Sequence, residues 1–144
     1  MLIGEYQHNL DPKKRLAVPA KLRAEIGQKA VITRGLDSCL FVYPQKEWEE
    51  LAQKLAQLPM GQENNRSFVR MMLAGAQEVE MDSLGRVLIP DYLKNYAGIE
   101  KEAIIVGVFN RLEIWDKKKW QKYKEAVEKD TDKLAERLGD LGAF

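Results

Sequence analysis

The sequence predicts a mainly β protein with flanking helices, an α+β chain made of two copies of one module around a shared core. Three observations predict it. The ten residues LDPKKRLAVP, starting at Leu10, are echoed 71 positions later by MDSLGRVLIP, so acid, three-residue gap, base, short apolar strand and proline are written twice. Around each occurrence, short segments of strand composition alternate with turn residues. Beyond each copy the apolar residues switch to helical spacing.

The repeat extends well past the motif. At an offset of 71, Asp11 matches Asp82, Arg15 matches Arg86, Pro19 matches Pro90, Leu22 matches Leu93 and Gly27 matches Gly98; at 72, Leu40 matches Leu112 and Trp48 matches Trp120. Asp-x-x-x-Arg alone is a weak motif in a charged chain, but seven identities in register mark a duplication.

Each copy reads as the same series of elements. A first strand (IGEYQHNL, then AQEVEM) enters a three-residue turn, PKK or SLG, and a short second strand leaves as RLAV or RVLI. Asp and Arg thus flank the turn of a hairpin. Pro19 and Pro90 suit the first position of a helix, where the absent N–H costs nothing and φ is already set. Leu22 with Ile26, and Leu93 with Ala97, give each short helix an apolar i, i+4 stripe, and Gly27 and Gly98 end them at positions open to positive φ. A second strand pair follows, AVITR with CLFVY and AIIVGV with RLEIW, turning at Asp37-Ser38 and at Asn110-Arg111.

Trp48, Leu51, Leu55 and Leu58 form one face of an amphipathic helix that Pro59-Met60-Gly61 ends. NRSFVRMMLAGA is a second helix, with Phe68 and Met72 on one side, and Trp120, Tyr123, Val127, Leu134 and Leu138 outline one longer C-terminal helix. The expected organisation is therefore a first module over residues 5–47, connecting helices over 48–75, a second module over 76–119 and a C-terminal helix over 120–144. A module of about 45 residues is marginal by itself. The two are expected to interleave their hairpins about a pseudo-twofold axis, forming one barrel-like core.

Composition narrows the chemistry. At 144 residues, 45% hydrophobic and 31% charged, the chain has a globular composition and no run near the roughly 20 apolar residues of a membrane span, so a cytoplasmic protein is expected. One cysteine, Cys39, and one histidine, His8, argue against a disulfide, a metal centre or a Ser-His-Asp hydrolase, and no phosphate loop is present. No cofactor and no small-molecule substrate are expected. A shared-proton carboxylate dyad from Asp11 and Asp82 would need one raised pKa, whereas an arginine beside each lowers it. An enzyme is accordingly not expected. Net charge is only +1, yet residues 1–35 hold seven basic groups against three acids, while residues 73–144 hold twelve against fourteen. That asymmetry fits one positive face.

Two readings of Asp-x-x-x-Arg stay open on the residues alone. As ion pairs, Asp11–Arg15 and Asp82–Arg86 would clamp turns, contributing about 0–1 kcal/mol each if exposed. As oriented guanidinium forks, Arg15 and Arg86 would suit phosphate oxygens or the O6/N7 edge of guanine. Lys13, Lys14, Lys21 and Arg23 would then add sequence-independent attraction to a nucleic-acid backbone.

The segments GEYQHNLD and RLAVPAKLR about the first turn, TRGLDSCLFVYP, MDSLGRVLIP and GVFNRLEIW resemble the MraZ family of bacterial transcriptional regulators over nearly the whole chain. The resemblance implies two AbrB-like swapped-hairpin modules and a ring-shaped homo-oligomer. It further implies binding of double-stranded DNA at direct repeats upstream of the division and cell-wall gene cluster, as a nucleoid-associated repressor. It gives Arg15 and Arg86 the DNA-facing role, with Asp11 and Asp82 in support. The alternative is a protein-interaction module of the AbrB-like antitoxin kind. The family pattern commonly has glycine before the motif arginine. Gly85 keeps it, while the first copy has Lys14, which either changes the turn or is strained in it.

Overall fold

The computed structural model describes residues 1–143. The first strand of each module finds its partner in the other module. Strand β1 (Leu2–Asn9) runs antiparallel to β7 (Glu102–Phe109), with Tyr6 opposite Ile105. Its repeat equivalent, β5 (Gln77–Glu80), runs antiparallel to β3 (Lys29–Arg34). Strand β4 (Leu40–Pro44) then joins β3 to β8 (Leu112–Asp116), which pairs with β7. The result is a six-stranded antiparallel sheet in the order β1-β7-β8-β4-β3-β5. The three-residue strands β2 (Arg15–Ala17) and β6 (Arg86–Leu88) pair only with each other, as a separate ribbon.

Register shows the symmetry directly. In the ribbon Leu16 faces Val87, its own repeat equivalent at offset 71, and at the sheet's centre Phe41 faces Glu113, its equivalent at 72. A pseudo-twofold axis therefore passes through both pairs.

Strand alternation separates two cores. On one sheet face Ile32, Leu40, Val42, Ala103, Ile105, Leu112 and Ile114 pack beneath Leu16 and Val87 of the ribbon. Leu22 and Ile26 join them from a 3-10 turn (Ala20–Leu22) and α1 (Arg23–Ile26), as do Leu93 and Ala97 from α4 (Asp91–Ala97). Each such leucine, isoleucine or valine, fully buried, contributes roughly 1.5–3 kcal/mol. On the opposite face Phe41, Tyr43, Ile104, Val106 and Trp115 are covered by Leu55 of α2 (Gln45–Ala56), Met72 of α3 (Glu63–Ala74) and Trp120 of α5 (Lys117–Lys129).

The α+β architecture and the interleaved modules are as expected; three details differ. The strands do not close into a barrel among the described residues. The ribbon of β2 and β6 pairs only with itself, its ladder extended by the N–H groups of Val18 and Ile89 onto the carbonyls of Gly85 and Lys14, 2.8 and 2.9 Å away, and the sheet edges β1 and β5 stay unjoined. Pro19 and Pro90 stand one position before their helices, with ψ of 133° and 143°, because each carbonyl accepts the first helical bond. The C-terminal stripe is two helices: α5 ends at Asp130, where φ is −112° and ψ 12°, and α6 (Thr131–Asp140) follows. There the Thr131 hydroxyl donates back to the carbonyls of Val127 and Glu128, both at 3.2 Å, competing with the helical ladder. In the same helical layer Phe68 is half exposed whereas Met72 is buried, so only one of that pair reaches the core.

Candidate nucleic-acid interface

Both hairpin turns are built by their aspartates. Asp11 Oδ1 accepts the backbone N–H groups of Lys13 and Arg15, each at 2.9 Å, while its Oδ2 accepts Arg15 Nε at 2.6 Å. Asp82 repeats the pattern: Oδ1 takes the N–H groups of Leu84 and Arg86 at 2.9 Å, and Oδ2 takes Arg86 Nε at 2.9 Å. A carboxylate thus spends one oxygen on closing the turn and the other on aiming a guanidinium. The clamp and the fork are one device.

The backbone N–H of Arg15, together with its guanidinium and the Lys13 N–H, holds the Asp11 carboxyl below its ordinary value against partial desolvation. Asp82 is lowered in the same way, first by the Arg86 N–H and then by the Arg86 side chain and the Leu84 N–H. Both aspartates stay ionised at neutral pH, the opposite of what a proton-sharing pair requires. Cys39 is no nucleophile in this setting: burial pushes its thiol up to about 12.

The two arginines converge. Arg86 Nη1 lies 3.6 Å from Asp11 Oδ2, the atom already bound to Arg15, so one carboxylate oxygen links the modules across the pseudo-twofold axis. Both guanidinium groups remain on the outer side of the ribbon, with the Arg15 and Arg86 side chains 32% and 27% exposed. Their Nε atoms are committed to the aspartates and Arg86 Nη1 faces Asp11, which leaves the remaining terminal nitrogens as the donors for a ligand.

The supporting cations fall in different places. Lys13 is exposed at the tip of the first turn and Lys21 on the 3-10 turn beyond the ribbon. Lys14 adopts φ +61°, close to the +76° of Gly85, so the first turn keeps the glycine geometry with a lysine in it. Its ammonium pairs with Asp91 at the start of α4. Arg23 is more engaged than the other cations: its Nε donates to the Val18 carbonyl at 2.9 Å, and its guanidinium lies across Gly85, where any Cβ would overlap it. The first module's helix therefore props the second module's turn.

Several participants were not identified from sequence. Asp91 gave no signal, because its partner Lys14 is 77 residues away. Tyr92 and Tyr96 fasten α4 to the end of α3 and to the first module, respectively, through hydroxyl donors to the carbonyls of Gly75 and Gly35, both at 2.8 Å. Arg34 lies against both rings, 5.7 and 5.8 Å from their centroids, and donates to the Met71 carbonyl at 3.2 Å. Their i, i+4 spacing was a visible hint; the aromatic face is a docking face. Among the described residues no cluster of three or more His, Cys, Asp or Glu could hold a metal, and no helix is long and apolar enough to cross a membrane.

Fold and site together define the class: a tandem of swapped-hairpin modules that carries two carboxylate-braced arginines on the outside of a shared ribbon. Comparison with known proteins gives the family. A family model described as "MraZ protein, putative antitoxin-like" matches twice, over residues 1–71 and 72–141. Similar proteins include a "Transcriptional regulator MraZ" of Clostridium beijerinckii, 56% identical over 99% of both chains, and one of Halothermothrix orenii, 48% identical over the same share. Another, from Lactobacillus delbrueckii subsp. bulgaricus, is 50% identical over 98% of this chain and 99% of its own. The chain belongs to the MraZ family of transcriptional regulators.

Proposed function

We propose that this protein regulates transcription by binding double-stranded DNA sequence-specifically through the outer face of the β2–β6 ribbon. The observation that carries the proposal is the convergence of Arg15 and Arg86 on one Asp11 oxygen, which presents two fixed guanidinium heads side by side. A two-stranded ribbon fits the major groove, and guanidinium groups there take either phosphate or the O6/N7 edge of guanine. Lys13, Lys14, Lys21 and Arg23 surround that face and supply the attraction to phosphates, Lys14 and Arg23 while also holding local structure.

Family membership supports the finer reading: a nucleoid-associated repressor of the division and cell-wall gene cluster, acting as a ring-shaped homo-oligomer on direct repeats upstream of its own gene. The test is a gel shift on that upstream DNA with random DNA as competitor. Arg15→Ala and Arg86→Ala should each weaken binding while leaving fold and assembly intact, and wild-type affinity should fall with salt by a log–log slope of about −0.9 per phosphate neutralised. A flat salt response, or arginine variants that bind normally, would reject the proposal. A second reading, a protein-interaction module of the antitoxin kind, is favoured by the apolar groove between α2 and α3, lined by Leu55, Leu58, Met60, Val69 and Leu73. A stoichiometric protein partner in a pull-down would support it.

A further inference from the structure

The two turns share one backbone geometry and differ in chemistry. Repeat equivalence sets Lys13 against Leu84 at the turn tips and Ala17 against Leu88 on the ribbon. Leu84 and Leu88 are 63% and 55% exposed, and both belong to the second hairpin. The Leu84 backbone is anchored in the turn, its N–H donating to Asp82 Oδ1 at 2.9 Å. In the ribbon Leu88 faces Arg15 in the antiparallel register and Ala17 faces Arg86. The outer face therefore alternates guanidinium and aliphatic groups, with the larger aliphatic beside Arg15. Cations are redistributed too. At one end they come from the turn, as Lys13 and Lys14, and at the other from the helical segment, as Lys21 and Arg23, where the turn has Leu84 and Gly85.

Phosphates have no use for leucine. The apolar feature of a DNA major groove is the C5-methyl of thymine, which presents itself on one side of the base pair and distinguishes A·T from T·A. Resting on the DNA-binding reading above, we infer that Leu84 and Leu88 read thymine methyl groups, as apolar sequence readout beside the arginines. Because both leucines lie on one hairpin, the preferred sequence is not palindromic although the backbone is nearly twofold symmetric. The protein then sits on DNA in one orientation, with the Lys13–Lys14 turn over phosphates at one end and the Leu84 tip over a thymine at the other.

The test uses the full chain and DNA selected from a random-sequence duplex pool. Selected duplexes are remade with single thymines replaced by deoxyuridine, which removes the methyl and nothing else. Loss of one buried methyl should lower affinity roughly fourfold at one or two positions, from the transfer free energy of a single carbon. The Leu84→Ala/Leu88→Ala double variant, changed only at exposed positions, should bind the thymine and deoxyuridine duplexes alike and keep the wild-type assembly size. Equal binding of the two duplexes by wild type, with Arg15→Ala and Arg86→Ala still impaired, overturns this inference and leaves DNA binding standing. Leucine variants that change assembly size while wild-type binding ignores the methyl would assign these side chains to a subunit contact and also overturn it. Failure to enrich any duplex sinks the DNA reading itself.

Discussion

Replacing Gly85 with alanine tests how the second turn is supported. Gly85 has φ +76°, and a Cβ there meets the Nε and Cζ atoms of Arg23. Two costs follow. An L-residue at this φ loses about 1–2 kcal/mol, of which about 0.4–1 kcal/mol is returned because alanine restricts the unfolded chain. Displacing Arg23 also breaks its 2.9 Å bond to the Val18 carbonyl, a half-buried bond from a charged donor that contributes about 1 kcal/mol. The expected loss is about 2 kcal/mol, a fall in Tm of roughly 4–8 °C for a chain of this size. Urea denaturation at fixed protein concentration, followed by circular dichroism, measures it. In an Arg23→Ala background the steric part disappears and only the φ cost remains, so the double-mutant cycle should show about 1 kcal/mol of coupling. Equal cost in both backgrounds would refute the contact between the first module's helix and the second module's turn; no cost in either would refute the turn geometry.

Two further outcomes follow from the turns. Asp11 and Asp82 have folded-state values lowered below 3.8, whereas in the unfolded chain an aspartate titrates near 3.9. Their contribution is fully present above the unfolded value and is lost as pH falls through the folded ones. Calorimetry should therefore show the gap in Tm between wild type and an Asp11→Asn/Asp82→Asn variant narrowing as pH drops from about 5 to about 2; a constant gap would contradict the assignment. Lys14→Gly relieves the strain of φ +61° but gives up the Asp91 pair and adds unfolded-state freedom. The three effects nearly cancel, so unfolding free energies from urea denaturation should differ by less than about 1 kcal/mol, while salt-dependent DNA affinity falls with the lost charge.

Much of this structure was legible because the repeat made the chain its own comparison. A single Asp-x-x-x-Arg is noise, but two at one offset, each followed by proline, a short apolar stripe and glycine, fixed the hairpins and the short helices after them. The interleaving could be anticipated from burial, since neither module could hide its own strands. What stayed invisible was long-range and specific. Asp91 meets Lys14, Arg23 meets Gly85 and Arg86 meets Asp11 only after the halves are placed, and no local pattern reports a partner some 60 to 80 residues away. The break at Asp130 was missed because the apolar stripe continues through it, while the feature that interrupts the helix is a threonine hydroxyl.

The pairing of β1 with β7 has a consequence for how the chain is made. Leu2 is synthesised more than a hundred residues before its neighbour in the sheet, Phe109. Until then the N-terminal strand has an open edge that nothing in its own half can close. The nearest substitute is the same strand position on another nascent copy, so crowded polysomes are where this protein is most exposed to exchanging its halves between molecules. Severing the gene at its midpoint would give two fragments, each a request for the other.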